Sequence, residues 1–222
     1  MDIIRLEEVE KSYMMGKVKV HALRGVDLSI EKGEYVAIMG PSGSGKSTLL
    51  NQIGALDRPT KGKVFIEEHD ISKMSDNELA KIRRENVGFI FQQFNLIPRL
   101  TAIENVELPM WYAGLPKIKR IRRAAELLKL VGLGDRMKHR PAELSGGQMQ
   151  RVCIARSLAN NPDIIMADEP TGNLDSKSSE EIMKILEKLN KEGKTIIMVT
   201  HEEEYAKRAE RIIIIRDGKV VS

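Results

Sequence analysis

Two short glycine-rich segments each lead into a helical pattern, and only one of them contains a lysine. The first is "GPSGSGKST". Gly40, Pro41, Ser42, Gly43, Ser44, Gly45, Lys46 and Ser47 fit the pattern G-x-x-x-x-G-K-[ST], with Thr48 after them. The apolar run Tyr35–Met39 precedes the loop and the helix-like "STLLNQIGAL" follows it, which is the context the pattern requires. Backbone N–H groups in such a loop can wrap phosphates, and the helix start adds a favourable dipole. Lys46 is placed to reach β- and γ-phosphates, and Ser47 to ligate Mg²⁺.

Further candidates stand where apolar runs end. Asp168 follows Ile164–Ala167. A carboxylate at the C-terminal end of a buried parallel strand lies at the crevice where such sheets bind ligands, and there it can hold Mg²⁺ through water. Glu169 comes next and is free to polarise a water for in-line attack on the γ-phosphorus. His201 ends the run Ile196–Thr200 and suits a γ-phosphate contact in the same crevice. Gln92 follows Phe89–Phe91 and, by chemistry alone, reads as a structural amide. Tyr13, in "KSYMMG", reads as an ordinary strand tyrosine, although its ring could stack on adenine.

These residues must be positioned by a particular kind of scaffold. The chain up to about Val36 alternates like antiparallel strands, and "GKVFIEEHDIS" reads as a hairpin. Its turn places Glu68 and His69 where glycine or asparagine is expected. From about 94 to 140 the pattern is mostly helical, with Gly132 and Gly134 as helix-end signals. In "KIKRIRR" and beyond, Ile121, Ala125 and Leu128 recur at helical spacing, predicting an apolar face on an otherwise solvated, charged helix, with a patch for nucleic acid or anionic lipid as the lesser reading of this basic run. Then strands "DIIMAD", "KTIIMVT" and "RIIIIRDGKVV" alternate with helices "SKSSEEIMKILEKLNKEG" and "EEEYAKRAE". Short apolar strands between amphipathic helices predict a parallel sheet buried on both faces. The expected class is α/β, with a nucleotide-binding core over 1–93 and 141–222 and an inserted helical subdomain over about 94–140.

Bulk properties narrow the setting. No window of the 222 residues approaches the roughly 18 apolar residues that a membrane helix needs. The acidic start "MDIIRLEEVE" lacks the form of a signal peptide. The single cysteine, Cys153, excludes an intrachain disulfide and reads as a small buried hydrophobe. The net charge of +4 is too low for a strongly basic nucleic-acid binder, so no nucleic-acid partner is expected. The cytosol is the expected compartment, with any membrane association made through a partner.

The second glycine segment is "ELSGGQMQR", Glu143–Arg151. Its "LSGGQ", lying between the lysine loop and "IIMADE", together with "NLD" at Asn173–Asp175 and the strand-ending His201, resembles the ATP-binding-cassette family over nearly the whole chain. The resemblance implies a P-loop NTPase core with a mainly parallel sheet, an N-terminal antiparallel β subdomain and a helical insertion. It implies that Tyr13 stacks on adenine, that Gln92 links Mg²⁺ and the attacking water to the helical subdomain, that Glu169 is the catalytic base and that His201 is the switch histidine. It implies that Ser145, Gly146, Gly147 and Gln148 contact the γ-phosphate held by another copy, and that Asp175 communicates between copies. A serine hydroxyl and N–H groups at a helix start make an anion site, and the lysine comes from the other chain. The expected state is a head-to-tail dimer with two ATP molecules at its interface.

"GALDRPTKGKV", "FIFQQFNLIPRLTAIENVELP" and "DEPTGNLDS" look like cassettes of lipoprotein-release and of macrolide- or peptide-export systems. That implies a membrane-spanning partner subunit, a place on the cytoplasmic face of the membrane and a docking segment over Phe94–Pro109, in which Leu96, Ile97 and Leu100 suit a helix-in-groove contact. Met149 and Cys153 depart from the usual signature helix. The competing reading is a soluble cassette ATPase of DNA repair or chromosome organisation. Such chains insert a long coiled coil between loop and signature, and Gly45–Leu144 has no sustained heptads.

Overall fold

The computed structural model describes residues 1–16 and 18–221. In chain order the elements begin with β1 (Asp2–Met15), β2 (Val18–Glu31), β3 (Tyr35–Met39), α1 (Lys46–Ile53), β4 (Lys61–Ile66), β5 (His69–Asp70) and α2 (Asp76–Asn86). They continue with β6 (Val87–Ile90), α3 (Ala102–Tyr112), α4 (Lys117–Leu130), α5 (Gly146–Ser157), β7 (Ile164–Asp168) and α6 (Ser176–Lys191). The chain closes with β8 (Thr195–Val199), α7 (Glu203–Ala206), β9 (Arg211–Arg216) and β10 (Lys219–Val220). Two compact units result, Met1–Arg83 with Gly193–Ser222, and Arg84–Glu192.

The first unit contains the antiparallel sheet β2-β1-β4-β5 and the strands β10-β9-β3-β8. β2 alternates from Val26 onward, burying Val26, Leu28 and Ile30 while the residues between them are exposed, as a half-buried antiparallel strand should. β3 lies between β8 and β9 and is parallel to both, with Val36 opposite Ile197 on one side and Arg211 on the other. β3 and β8 are buried on both faces. β9 is not: Ile213 and Ile215 are buried and Ile214 is exposed, so the expectation of a sheet buried throughout holds for the inner strands only.

The second unit pairs β6 with β7 in parallel, Val87 opposite Ile164 and Ile90 opposite Ala167. α4 ends in a Schellman motif, with Gly132 at φ 75°, Gly132 N–H donating to Lys129 O and Leu133 N–H to Leu128 O. Its buried residues are Ala124, Leu127 and Leu128, whereas Ile121 is 39% exposed. Of the predicted face, Leu128 is buried and Ala125 half-buried but Ile121 is exposed, so the inner stripe departs from the expectation at its N-terminal end. The cause is Arg120. It occupies the inner stripe one turn before Ala124 and donates to Leu115 O and the Glu107 carboxylate, so a cation sits where an apolar residue would mark the phase.

Three further local expectations change. The helix expected over "EEEYAKRAE" closes after Ala206, because Arg208 and Ala209 N–H bond three residues back and Glu210 N–H is drawn to Tyr35 O of β3. "RIIIIRDGKVV" is a hairpin: Asp217 and Gly218 both have positive φ, and Lys219 pairs with Arg216. In the β4–β5 turn the left-handed residues are Glu67 and Glu68, not His69. Neither is glycine, which costs on the order of 1–2 kcal/mol each. Among the described residues, no helix is long and apolar enough to cross a membrane.

Candidate functional site

The lysine loop sits at the C-terminal end of β3. Gly40 has φ 154°, and a Cβ there would lie 2.1 Å from Ile215 O, so only glycine fits. Gly45 is the N-cap of α1 in the left-handed region, with no side-chain cap and no acid in the first turn. The helix start therefore keeps its unpaired N–H groups and its positive end available to an anion. The Lys46 ammonium donates to Gly40 O at 2.8 Å and Pro41 O at 2.9 Å, which leaves one of its three protons for another acceptor. Ser44 Oγ is buried within the loop without a hydrogen-bond partner. An uncapped helix start, a tethered ammonium and an orphaned hydroxyl fit a phosphate chain.

His201 is exposed and lies two residues beyond Val199, which pairs with Ile38. Gly40 lies two residues beyond Ile38. The parallel register thus brings His201 and the lysine loop to the same edge of the first unit. Tyr13 is also in this unit. Its hydroxyl donates to Asp57 Oδ2 at 3.0 Å, and Lys11 Nζ lies 5.1 Å from its ring centroid. Burial and Asp57 push the phenol pKa up, while the Thr48 hydroxyl in the first turn of α1 opposes them. Burial alone would raise the Asp57 carboxyl. Lys11, the Arg58 N–H and Tyr13 together bring it below its ordinary value.

The second unit assembles the other candidates at the C-terminal ends of β6 and β7. Gln92 lies two residues beyond Ile90, and Glu169 two beyond Ala167, its register partner. Asp168 and Glu169 are half-buried, and Glu169 has φ 45°, an uncommon conformation for a residue with a side chain. Gln92 is packed closely against Gly172, where a Cβ would meet its Nε2 at 2.9 Å. Asn173 Nδ2 donates to Gln92 O at 2.9 Å.

Both strand ends are tied to α5 by Gln150, which chemistry-by-motif passes over. Gln150 is fully buried, and its Nε2 donates to Phe91 O at 3.3 Å and Pro170 O at 2.8 Å. Each acceptor adjoins a candidate residue, Gln92 or Glu169. Cys153 Sγ and Arg156 Nη2 on the same helix both donate to Phe94 O, and Arg156 Nη1 donates to Asn95 O. Cys153 is buried as expected but also supplies a donor. Buried Asn105 of α3 holds the following turn, accepting from Ile97 N–H and donating to Ile97, Leu100 and Thr101 carbonyls. Leu96 and Leu100 are half-buried there, and Ile97 is 39% exposed.

The lysine-free segment starts α5 in a different way. Ser145 is a side-chain N-cap: its Oγ accepts from Gln148 N–H at 3.2 Å, and Gln148 Oε1 accepts from Ser145 N–H at 3.0 Å. This box does not engage the N–H groups of Gly146 and Gly147, and the serine keeps its own proton. A Cβ on Gly147 would lie 2.6 Å from Ser178 Oγ and 2.8 Å from Ser178 Cβ. Ser178 in turn donates to Asp175 from its N–H at 3.0 Å and its hydroxyl at 2.6 Å, holding that carboxyl below its ordinary pKa range. Glycine spacing alone does not reveal this packing of α5 against the start of α6.

The family model described as "ABC transporter" matches residues 23–172. The chain belongs to the ABC transporter family. An ABC transporter ATP-binding protein of Thermotoga maritima, itself uncharacterised, is 59% identical over 218 residues, covering 98% of this chain and 93% of that protein. The macrolide export ATP-binding/permease protein MacB of Brucella melitensis is 53% identical over 99% of this chain, which spans only 34% of that longer protein. A solved dimeric structure of the ATP-binding cassette MJ0796, from Methanocaldococcus jannaschii, superposes with a TM-score of 0.91 at 53% identity, covering 99% of this chain and 97% of that one. It is described as a post-hydrolysis state bound to ADP and Pi. This chain is therefore an ATP-binding subunit of ABC type, with the α/β cassette fold and the ATPase activity of that family.

Proposed function

We propose that this cassette hydrolyses ATP at sites completed by a second copy of itself, and that the resulting movement drives a separate membrane-spanning subunit of the lipoprotein-release or macrolide/peptide-export type. The observation that carries the reading is the pair of unlike helix starts on one chain. α1 offers an open N-terminus with a lysine, while α5 offers free glycine N–H groups and a serine hydroxyl without a cation. The second has the N–H groups of an anion site but no cation of its own, which suits a phosphate whose lysine is supplied by another chain.

In this reading the 40–48 loop and Lys46 hold the phosphates, and Tyr13 meets adenine. Ser47, Gln92 and Asp168 are the oxygen donors suited to Mg²⁺, which neutralises charge on the phosphates when bound. Glu169 accepts the proton of the attacking water. His201 contacts the γ-phosphate. Ser145, Gly146, Gly147 and Gln148 contact it from the second copy, and Asp175, tied through Ser178 to Gly147, lies where the two copies communicate. The Phe94–Pro109 segment, with Leu96, Ile97 and Leu100, receives the membrane subunit. The export type is supported by 53% identity to a protein whose name joins cassette and permease.

Glu169→Gln removes the base and keeps the shape, so ATP and Mg²⁺ should trap it as a dimer on a sizing column. A variant that stays monomeric at saturating ATP would overturn the reading.

A further inference from the structure

The corner where α3 meets α4 is built against its own local stability. α4 begins with Lys117, Lys119 and Arg120 and has no acid in its first turn, although a helix N-terminus favours negative charge. Beside this start, Ile118 is 83% exposed, Trp111 56% and Tyr112 68%. The two rings lie 5.1 Å apart, tilted by 51°. From Leu108 to Ala125 the chain holds five cations and no acid, a local excess larger than the +4 of the whole chain. Arg120 is paired with Glu107 and Arg122 with Glu126. Among the described residues no carboxylate pairs with Lys117, Lys119 or Arg123.

We propose that this corner contacts the surface of an anionic phospholipid bilayer. Lys117, Lys119 and Arg123 meet headgroup phosphates, while Ile118, Trp111 and Tyr112 seat at the boundary between headgroups and acyl chains. The contact is made by the tip of the α3–α4 hairpin, from which the long basic side chains reach outward past the apolar ones. Tryptophan and tyrosine beside lysine and arginine suit the interface, where each ring has an apolar body and a polar edge. A nucleic acid would account for the cations but not for an aliphatic side chain as exposed as Ile118. A protein surface of ordinary polarity would account for the rings but not for three cations without a paired carboxylate in the first two turns of one helix.

Trp111 is the single tryptophan of the chain, so its emission reports on this corner alone. The full chain is titrated with vesicles of phosphatidylglycerol mixed into phosphatidylcholine, with pure phosphatidylcholine vesicles and with duplex DNA. The expected result is co-flotation with the anionic vesicles and a blue shift of Trp111. Both should be lost at high salt and absent with phosphatidylcholine or DNA. Lys117→Glu with Lys119→Glu should weaken vesicle binding by at least about 20-fold, with an unfolding midpoint that is unchanged or raised. No flotation, flotation without a Trp111 shift, an equal shift with neutral vesicles or DNA, or full binding by the charge-reversed chain would each overturn the proposal.

Discussion

α1 and α5 both start on glycine, and they solve different problems. At α1 the N-cap is left-handed Gly45, no side chain closes the helix end, and Lys46 folds back onto Gly40 O and Pro41 O. That end is held open for an anion with its own cation beside it. At α5 the N-cap is Ser145 in a closed capping box, and the glycines serve packing: Gly147 lets Ser178 approach. One start is specialised for holding a ligand and the other for docking against neighbouring chain while keeping two N–H groups clear. Glycine alone does not tell these apart; the cap and the neighbours do.

The sharpest break of this comparison is Lys46→Ala. It should abolish hydrolysis and weaken ATP binding roughly 10- to 100-fold, the value of one or two charge-assisted hydrogen bonds, as measured by fluorescent-nucleotide titration. Gly147→Ala should behave otherwise. ATP affinity should stay within about twofold while kcat falls by about tenfold or more, because the added methyl shifts the signature helix start against Ser178. Ser178→Gly in the same chain should restore much of the rate, since it removes both close atoms. A Gly147→Ala chain that loses nucleotide binding would contradict the division of labour.

Ser145→Ala should cost about 1 kcal/mol through the lost cap, and so lower the thermal midpoint by about 2–4 °C. No equivalent loss exists at α1, where no side chain caps the helix. The last effect appears only in alkali and concerns Cys153 on the buried side of α5. Burial pushes its thiol up to about 12, against the pull of Arg156. Above the usual thiol pKa of about 8.5 the unfolded chain loses this proton while the folded chain keeps it. Stability should therefore fall as pH rises from about 9 toward 12, and Cys153→Ser should flatten that slope in chemical denaturation.

The placement of several candidate site residues was legible because they stand at strand ends. Gly40, Gln92, Glu169 and His201 each stand two residues beyond a registered strand pair, so apolar runs in the sequence locate them. Contacts between distant segments were not legible in this way. Gln150 looks like one polar residue among several in "GGQMQR", yet it is the buried donor to the chain beside Gln92 and Glu169. Ser178 is likewise an ordinary helix-start serine until Gly147 is seen against it. The phase of α4 was hidden by Arg120 on its inner stripe. The Asp217-Gly218 turn carried a recognisable hairpin signal inside a run that reads as one apolar strand.

The most direct test of the split site is complementation. Lys46→Ala damages only the loop, and Ser145→Arg obstructs only the lysine-free contact. Each chain alone should be inactive. In a mixed dimer, the intact loop of the Ser145→Arg chain meets the intact signature of the Lys46→Ala chain, which leaves one whole site. Mixing the two inactive proteins should restore steady-state ATP hydrolysis, rising with protein concentration. A mixture that remains as inactive as its components, while still forming mixed dimers, would contradict it.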